Sequence, residues 1–238
     1  MARGFINNWH KVWSARMPPD EHQVSVLQRL ICIDGFDTPL GLVEEGPWND
    51  YVALFSTRTG IRHGDSVFEM GCGSGAFLYP LYKTGHAVSG IDYSLEMIRF
   101  ARSAMPERRH VLNKVEASLC PVSPKADVVI ANHVIHYFPT IDYSSIVLGI
   151  MLEKSRRVVG ISGIPDADLK SESESYRRSL LRADEYEAKY RGLEILYYER
   201  QWFVKHALAK GFTARFLSHE MPGFAQNRFR YDCVMTRS

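Results

Sequence analysis

The 238-residue chain is 45% hydrophobic and 24% charged, which is ordinary for a folded globular protein and excludes disordered and fibrous classes. A formal net charge of +2 at pH 7 offers no argument for binding a nucleic-acid backbone, which needs a dense basic face. A chain this long buries about 70% of its unfolded surface, so its core needs no disulfide or metal.

Cys32, Cys72, Cys120 and Cys233 stand far apart with no CxxC pair, so reduced thiols in a cytoplasmic protein are expected. The opening MARGFINNWHKVW is broken by Asn, His and Lys and has no signal-peptide apolar core. No stretch approaches 18 uninterrupted apolar residues, so no membrane partner is expected.

In chain order, Trp9, Trp13 and Arg16 share a helical face ahead of Pro18-Pro19, and Glu21–Ile33 has the apolar spacing of an amphipathic helix. The turn-rich run from Asp34 to Gly41 ends it, and a further helix is expected over Trp48–Thr59. After Gly60 strands and helices alternate. Strands are expected at Ser66–Met70, His86–Ile91, Val111–Val115, Asp127–Ala131 and Arg157–Ile164, with helices to about Lys83, over Ser94–Ala104 and over Tyr143–Lys154. Residues Asp166 to Arg191 carry seven acidic and six basic side chains and read as a solvated helical excursion, one face of which covers the site in the sharper reading. A helix over Gln201–Lys210 and two β-like runs, Thr213–His219 and Arg228–Thr236, close the chain. The last two suggest an antiparallel pair at the sheet edge.

This alternation predicts right-handed βαβ units. The expected fold is α/β: a doubly wound, mostly parallel seven-stranded sheet with an antiparallel last strand. Residues 1–59 are expected to form an N-terminal helical lid, and 60–238 the core with a helical insertion at about 166–195.

The chemistry concentrates in SVFEMGCGSGAF, Ser66 to Phe77, where a strand runs into Gly71, Gly73 and Gly75 and then a helix. Such glycines bring backbone amides close to a ligand at the positive end of the helix. Gly71-x-Gly73-x-x-Ala76 formally satisfies the dinucleotide fingerprint, with Asp92 at about the spacing of a ribose-binding acid. Glu69, two residues before the first glycine, instead suits a cationic ammonium and would repel a pyrophosphate.

This arrangement resembles motif I of the class I S-adenosylmethionine-dependent methyltransferases. GIDYS (Gly90–Ser94), VEASL (Val115–Leu119) and ADVVIANHVIHYF (Ala126–Phe138) resemble the segments that follow, and the resemblance runs from about Gly60 to the C-terminus. It implies S-adenosylmethionine as cofactor, with Glu69, Gly71, Cys72, Gly73 and Gly75 around its amino acid end. It implies Asp92 on the ribose, flanked by Tyr93 and Met97, and Glu116 with Ala117 at the adenine. Asn132 and His133 would border the methyl group.

Methyl transfer from a sulfonium needs alignment and exclusion of water, and an alcohol acceptor also needs a base. His133 and His136 are the candidate bases, because they stand where ligands sit in open α/β sheets. Trp9, Trp13 and Arg16 are expected to close over cofactor and acceptor, with Arg16 meeting an anionic group. Tyr197, Arg200 and Arg228 are further candidates for a polar substrate pocket. No metal site is expected, and the fourth-strand segment lacks the Asn-Pro-Pro-aromatic signature of nucleic-acid amino-methylating enzymes. A small-molecule N- or O-acceptor is therefore the expected partner, and homo-oligomerisation stays open. A nicotinamide oxidoreductase, a non-catalytic cofactor-binding protein and an aminopropyl transferase are the alternatives.

Overall fold

The computed structural model describes residues 8–17, 24–38 and 40–238. The expected helix over Glu21–Ile33 is seen as α2, Val26–Ile33, preceded by a shorter α1, Trp9–Ser14. Ser25 caps α2, its Oγ accepting from Gln28 N at 3.0 Å. Residues 21–23, like Pro18-Pro19, lie outside the described residues. The turn-rich run holds a small hairpin, β1 (Asp37–Thr38) with β2 (Gly41–Leu42), and the next helix, α3, spans Glu45–Thr59. That helix starts three residues earlier than its apolar spacing suggests, because its first turn, Glu45-Gly46-Pro47, is polar and turn-like in composition.

The core then runs β3 (Ser66–Met70), α4 (Leu78–Lys83), β4 (Ala87–Asp92), α5 (Leu95–Ala104), β5 (Leu112–Lys114), β6 (Ala126–Asn132), α6 (Ile141–Lys154) and β7 (Ser155–Pro165). Two helices, α7 (Lys170–Ser179) and α8 (Ala183–Tyr190), occupy the charged segment. Next come α9 (Arg200–Leu208), β8 (Phe212–Ser218) and β9 (Arg230–Arg237). Strand order is β5-β4-β3-β6-β7-β9-β8, with β9 antiparallel to both neighbours and the pairs among β3–β7 parallel. The seven-stranded, mostly parallel sheet with one reversed strand is thus present. The last run begins at Arg230, not Arg228, because Asn227–Phe229 coil into a single 3-10 turn.

Alternation along the strands divides the core between two faces. Val67, Val88, Val128, Ile130, Val158 and Val234 pack with Trp48, Tyr51, Phe55, Phe77, Leu78 and Ile98 of α3, α4 and α5 and the loop before α4. Phe68, Val129, Val159, Ile161, Cys233 and Met235 point the other way, onto Val147, Leu148 and Met151 of α6 and Phe203 of α9. Burying each of these large side chains contributes about 1.5–3 kcal/mol, and that burial holds the helices to the sheet. A right-handed, doubly wound sheet built this way collects the C-terminal ends of its parallel strands on one edge. Met70, Asp92, Asn132, Pro165 and Ser218 end their strands there, and Arg230 begins the reversed β9 there. Among the described residues no helix is long and apolar enough to cross a membrane.

Candidate active site

The strand ends open into a cavity of about 300 Å³. Its first wall is the loop between β3 and α4. Gly71 and Gly73 have φ of +72° and +52°, in the left-handed region, and neither position has room for a side chain. A Cβ on Gly71 would lie 2.6 Å from Val134 Cγ2, and one on Gly73 2.5 Å from Asp34 Oδ1. Gly75 lies behind the loop, against Met105 and Ala101, and does not line the cavity. Cys72 does line it, but the thiol is buried and burial pushes its ionisation well up, so it is a packed filler, not a nucleophile.

Three carboxyl groups converge on this loop. Glu69 is 2% exposed, and its Oε2 is buried without a hydrogen-bond partner. Burial first, then the charges of Asp34 and Asp92, hold its pKa well above the carboxylate range. Asp92 caps the glycine loop and α5 together: Oδ2 accepts from Gly73 N at 3.1 Å and Oδ1 from Ser94 N at 2.8 Å. Burial outweighs those bonds and raises it to about 6. Asp34, at the end of α2, accepts from Ser74 N at 2.8 Å and Ala76 N at 3.4 Å and is raised to about 7, again chiefly by burial.

Further along the edge, Tyr93, Met97, Glu116 and Ala117 line the cavity, and Glu116 accepts from the Tyr143 hydroxyl. Asn132 also lines it, held by Tyr51 Oη at 2.6 Å and Ser162 Oγ at 2.7 Å.

On the far side His133 takes an unusual backbone conformation, φ +51°. Its ring occupies the space a side chain on Gly163 would fill, since a Cβ there would be 2.5 Å away. His133 Nε2 is 3.0 Å from His219 Nε2, and His219 Nδ1 is 2.7 Å from Asp232 Oδ1. Asp232 is wholly buried and also accepts from Gly163 N at 3.0 Å and from Arg58 Nη1 at 3.1 Å. With the Nδ1 proton of His219 directed at Asp232, its Nε2 accepts from His133 Nε2–H. That leaves His133 Nδ1 as an acceptor with no partner among the described residues, on a ring that lines the cavity. Burial, reinforced by His219, Arg230 and His136, keeps His133 neutral well below the usual histidine range. His136 is buried against Tyr137 and Arg230, and burial keeps it neutral too.

The cover comes from α1 and the hairpin. Trp9, Trp13 and Arg16 line the cavity with Phe36, Phe224 and Tyr137, and Trp9 and Trp13 pack on Tyr137 at 4.6 and 5.2 Å between ring centres. Arg16 is already engaged: it donates to the Ile33 and Cys32 carbonyls at 3.2 and 2.5 Å and pairs with Asp37. An open cation for an incoming anion is therefore not found there.

Three expected pocket residues lie elsewhere. Tyr197 bonds Arg177 and Ser173 behind the wall. Arg200 pairs with Asp166 and lies over the Tyr231 ring, and Arg228 lies over Phe229 and Tyr176. The cavity receives Arg230 and Arg177 instead. Asp34, His219 and Asp232 are not among the candidate site residues that the sequence suggests. A carboxylate inside the apolar run Tyr231–Val234 was the available signal for Asp232, since a strand buried on both faces rarely carries one without a partner. Among the described residues no cluster of His, Cys, Asp and Glu has the arrangement of a metal site.

Residues 68–159 match the model of a family described as a methyltransferase domain. The fold is similar to that of magnesium protoporphyrin IX methyltransferase from Synechocystis with bound S-adenosylhomocysteine (TM-score 0.60, 19% identity, 97% of this chain and 92% of that one). It is also similar to an S-adenosylmethionine-bound amino pentose methyltransferase from Micromonospora echinaspora involved in calicheamicin biosynthesis (TM-score 0.60, 12% identity, 80% and 92%). A third similar structure is an S-adenosylmethionine-dependent methyltransferase from Clostridium acetobutylicum (TM-score 0.58, 12% identity, 82% and 93%). No curated protein matches the chain.

Proposed function

We propose that the chain moves a methyl group from S-adenosylmethionine to a hydroxyl or amine of a small polar metabolite, as its match to a methyltransferase domain over residues 68–159 supports. The carrying observation is the buried, unpartnered Oε2 of Glu69 at the mouth of the glycine loop. A buried acceptor left unsatisfied is rare in a finished fold, and an ammonium group supplies the missing donor. Two similar enzymes hold S-adenosylmethionine or S-adenosylhomocysteine. A dinucleotide would bring a pyrophosphate against Glu69, Asp34 and Asp92, which disfavours the nicotinamide reading.

In this reading Glu69 receives the amino group, Asp92 the ribose hydroxyls, and Glu116 with Ala117 the adenine edge. When bound, S-adenosylmethionine supplies an electrophilic methyl group on a sulfonium. Phe36, Phe224, Tyr137 and the two indoles of α1 keep water away from the acceptor and hold it in line. The acceptor's proton goes to His133 Nδ1. His133 is buried with no carboxylate beside it among the described residues to hold the resulting charge, so its Nε2 proton passes to His219 Nε2, and the imidazolium then rests against Asp232. His133 is the catalytic base, and His219 and Asp232 are positioning residues behind it. His136 packs against Tyr137 and holds the wall.

Calorimetric titration with S-adenosylhomocysteine and with NAD tests the reading. Saturable binding of the first and none of the second is expected. NAD binding that S-adenosylhomocysteine displaces would contradict it.

A further inference from the structure

Opposite the carboxyl groups, the cavity wall is cationic. Arg230 is 9% exposed; its Nη1 donates to the Gly163 carbonyl at 2.5 Å and lies 3.4 Å from His136 Nδ1. Arg177, from α7, lines the same wall. Its Nη2 donates to Tyr197 Oη at 3.2 Å, and its Nε is buried without a partner. Among the described residues neither guanidinium pairs with a carboxylate, whereas Arg16 pairs with Asp37, Arg58 with Asp232 and Glu220, and Arg157 with Asp65. Two shielded cations facing one cavity repel each other, and removing them from water costs several kcal/mol unless an anion compensates. Arginine forks match a carboxylate in two-pronged geometry. Beside them, Trp9, Trp13 and Tyr137 present flat apolar surfaces.

We propose that Arg177 and Arg230 form an anion subsite that holds a carboxylate of the methyl acceptor, so that the acceptor is a small aromatic acid whose reacting hydroxyl or amine faces His133. This rests on the methyl-transfer reading for the word acceptor; the anion subsite itself does not. The cofactor also carries a carboxylate, but that group shares a carbon with the ammonium assigned to Glu69. Glu69 stands on β3, and the Gly163 carbonyl that anchors Arg230 stands on β7, two strands away across β6, or roughly 10 Å. Arg230 is therefore placed for the other ligand.

The test titrates the full chain, saturated with S-adenosylhomocysteine, with benzoate, 4-hydroxybenzoate and indole-3-acetate, each against its neutral primary amide. At least one acid is expected to bind about tenfold or more tightly than its amide, the scale of a charge-assisted pair. Arg230→Met and Arg177→Met should each bring that ratio toward one while leaving S-adenosylhomocysteine affinity unchanged, which also reports that the variants fold. Arg230→Lys should restore part of the preference. The proposal is overturned if no acid outbinds its amide. It is also overturned if the Met variants weaken S-adenosylhomocysteine instead, because the anion is then the cofactor's own carboxylate. Absence of S-adenosylhomocysteine binding in the wild type would contradict the methyl-transfer reading. The acid-to-amide ratio on the free protein would still decide the subsite.

Discussion

His133 and His219 meet Nε2 to Nε2 at 3.0 Å although 86 residues separate them. The first directly follows β6 and the second directly follows β8, and both stand on the edge where the parallel strands finish. In the proposed mechanism the contact gives the base His133 an outlet for its proton, and the His219 Nδ1–Asp232 bond at 2.7 Å sets the direction of transfer. Replacing His219 with Gln removes the proton acceptor behind His133. Turnover with an acceptor should fall roughly 10²–10⁴-fold while S-adenosylhomocysteine binds as before. Asp232→Asn, which alters the tautomer of His219, should act in the same direction. With cofactor kept saturating, turnover of the wild type should hold down to pH values below 6.5, because His133 stays neutral there. Unchanged turnover in both variants would remove the relay from the mechanism.

Cofactor binding should strengthen as pH rises through the window from about 6 to about 7. Asp92 and Asp34 are raised to about 6 and about 7, and Glu69 is raised well above its ordinary value, in each case chiefly by burial. Ligand ammonium and hydroxyl donors favour the ionised forms, so binding releases protons. The ligand-free fold runs the opposite way. A raised carboxyl favours the folded state below its unfolded value near 4 and loses that contribution as pH climbs through the folded value. Calorimetry at pH 6.5 in two buffers of different ionisation enthalpy should show net proton release, and net uptake would contradict this assignment of the charges.

Two glycine substitutions should separate binding from chemistry. Gly71→Ala forces a side chain into Val134 at φ +72°, so cofactor affinity should fall sharply. Gly163→Ala drives a Cβ into the His133 ring at φ +67°, so turnover should fall while cofactor affinity is retained. Each left-handed alanine costs about 1–2 kcal/mol of stability, or a few degrees in Tm for a chain of this size. Equal effects of both variants on binding and turnover would mean that the two walls do not have separate tasks.

The order of strands and helices was legible because each strand is a short apolar run and each helix has a polar face. The turn made by Gly71, Gly73 and Gly75 and the place of Asp92 at the end of β4 were legible because both depend on local spacing. The Arg177–Arg230 wall and the His133–His219–Asp232 contacts were not, because β9 enters the sheet between β7 and β8, and only that reversal brings Asp232 and Arg230 to His219, Gly163 and His136. The choice of Arg228 over Arg230 missed by two residues for a related reason. A 3-10 turn at Asn227–Phe229 delays the strand, and the first side chain delivered to the site is the next arginine on the same face. Asp34 was hidden because a turn such as Asp34–Gly41 draws Asp for its backbone geometry alone.

The segment before Pro18 should behave as a ligand-coupled lid. Its helix has six residues and is held by Trp9 Nε1 on the Glu194 carbonyl at 2.7 Å and by the Arg16 contacts, with little core of its own. Deleting it should lower turnover far more than thermal stability. Limited proteolysis around Arg16 should slow when S-adenosylhomocysteine and an acceptor are present, and equal cleavage rates would return the indoles to ordinary packing.

A crystal structure of the protein grown with S-adenosylhomocysteine is the most direct measurement. The ligand's amino nitrogen is predicted within about 3 Å of Glu69 Oε2, its ribose hydroxyls on Asp92, and its sulfur turned toward His133. A saturating ligand that leaves Glu69 Oε2 unpartnered, or lies away from the Gly71–Gly73 loop, would contradict the account.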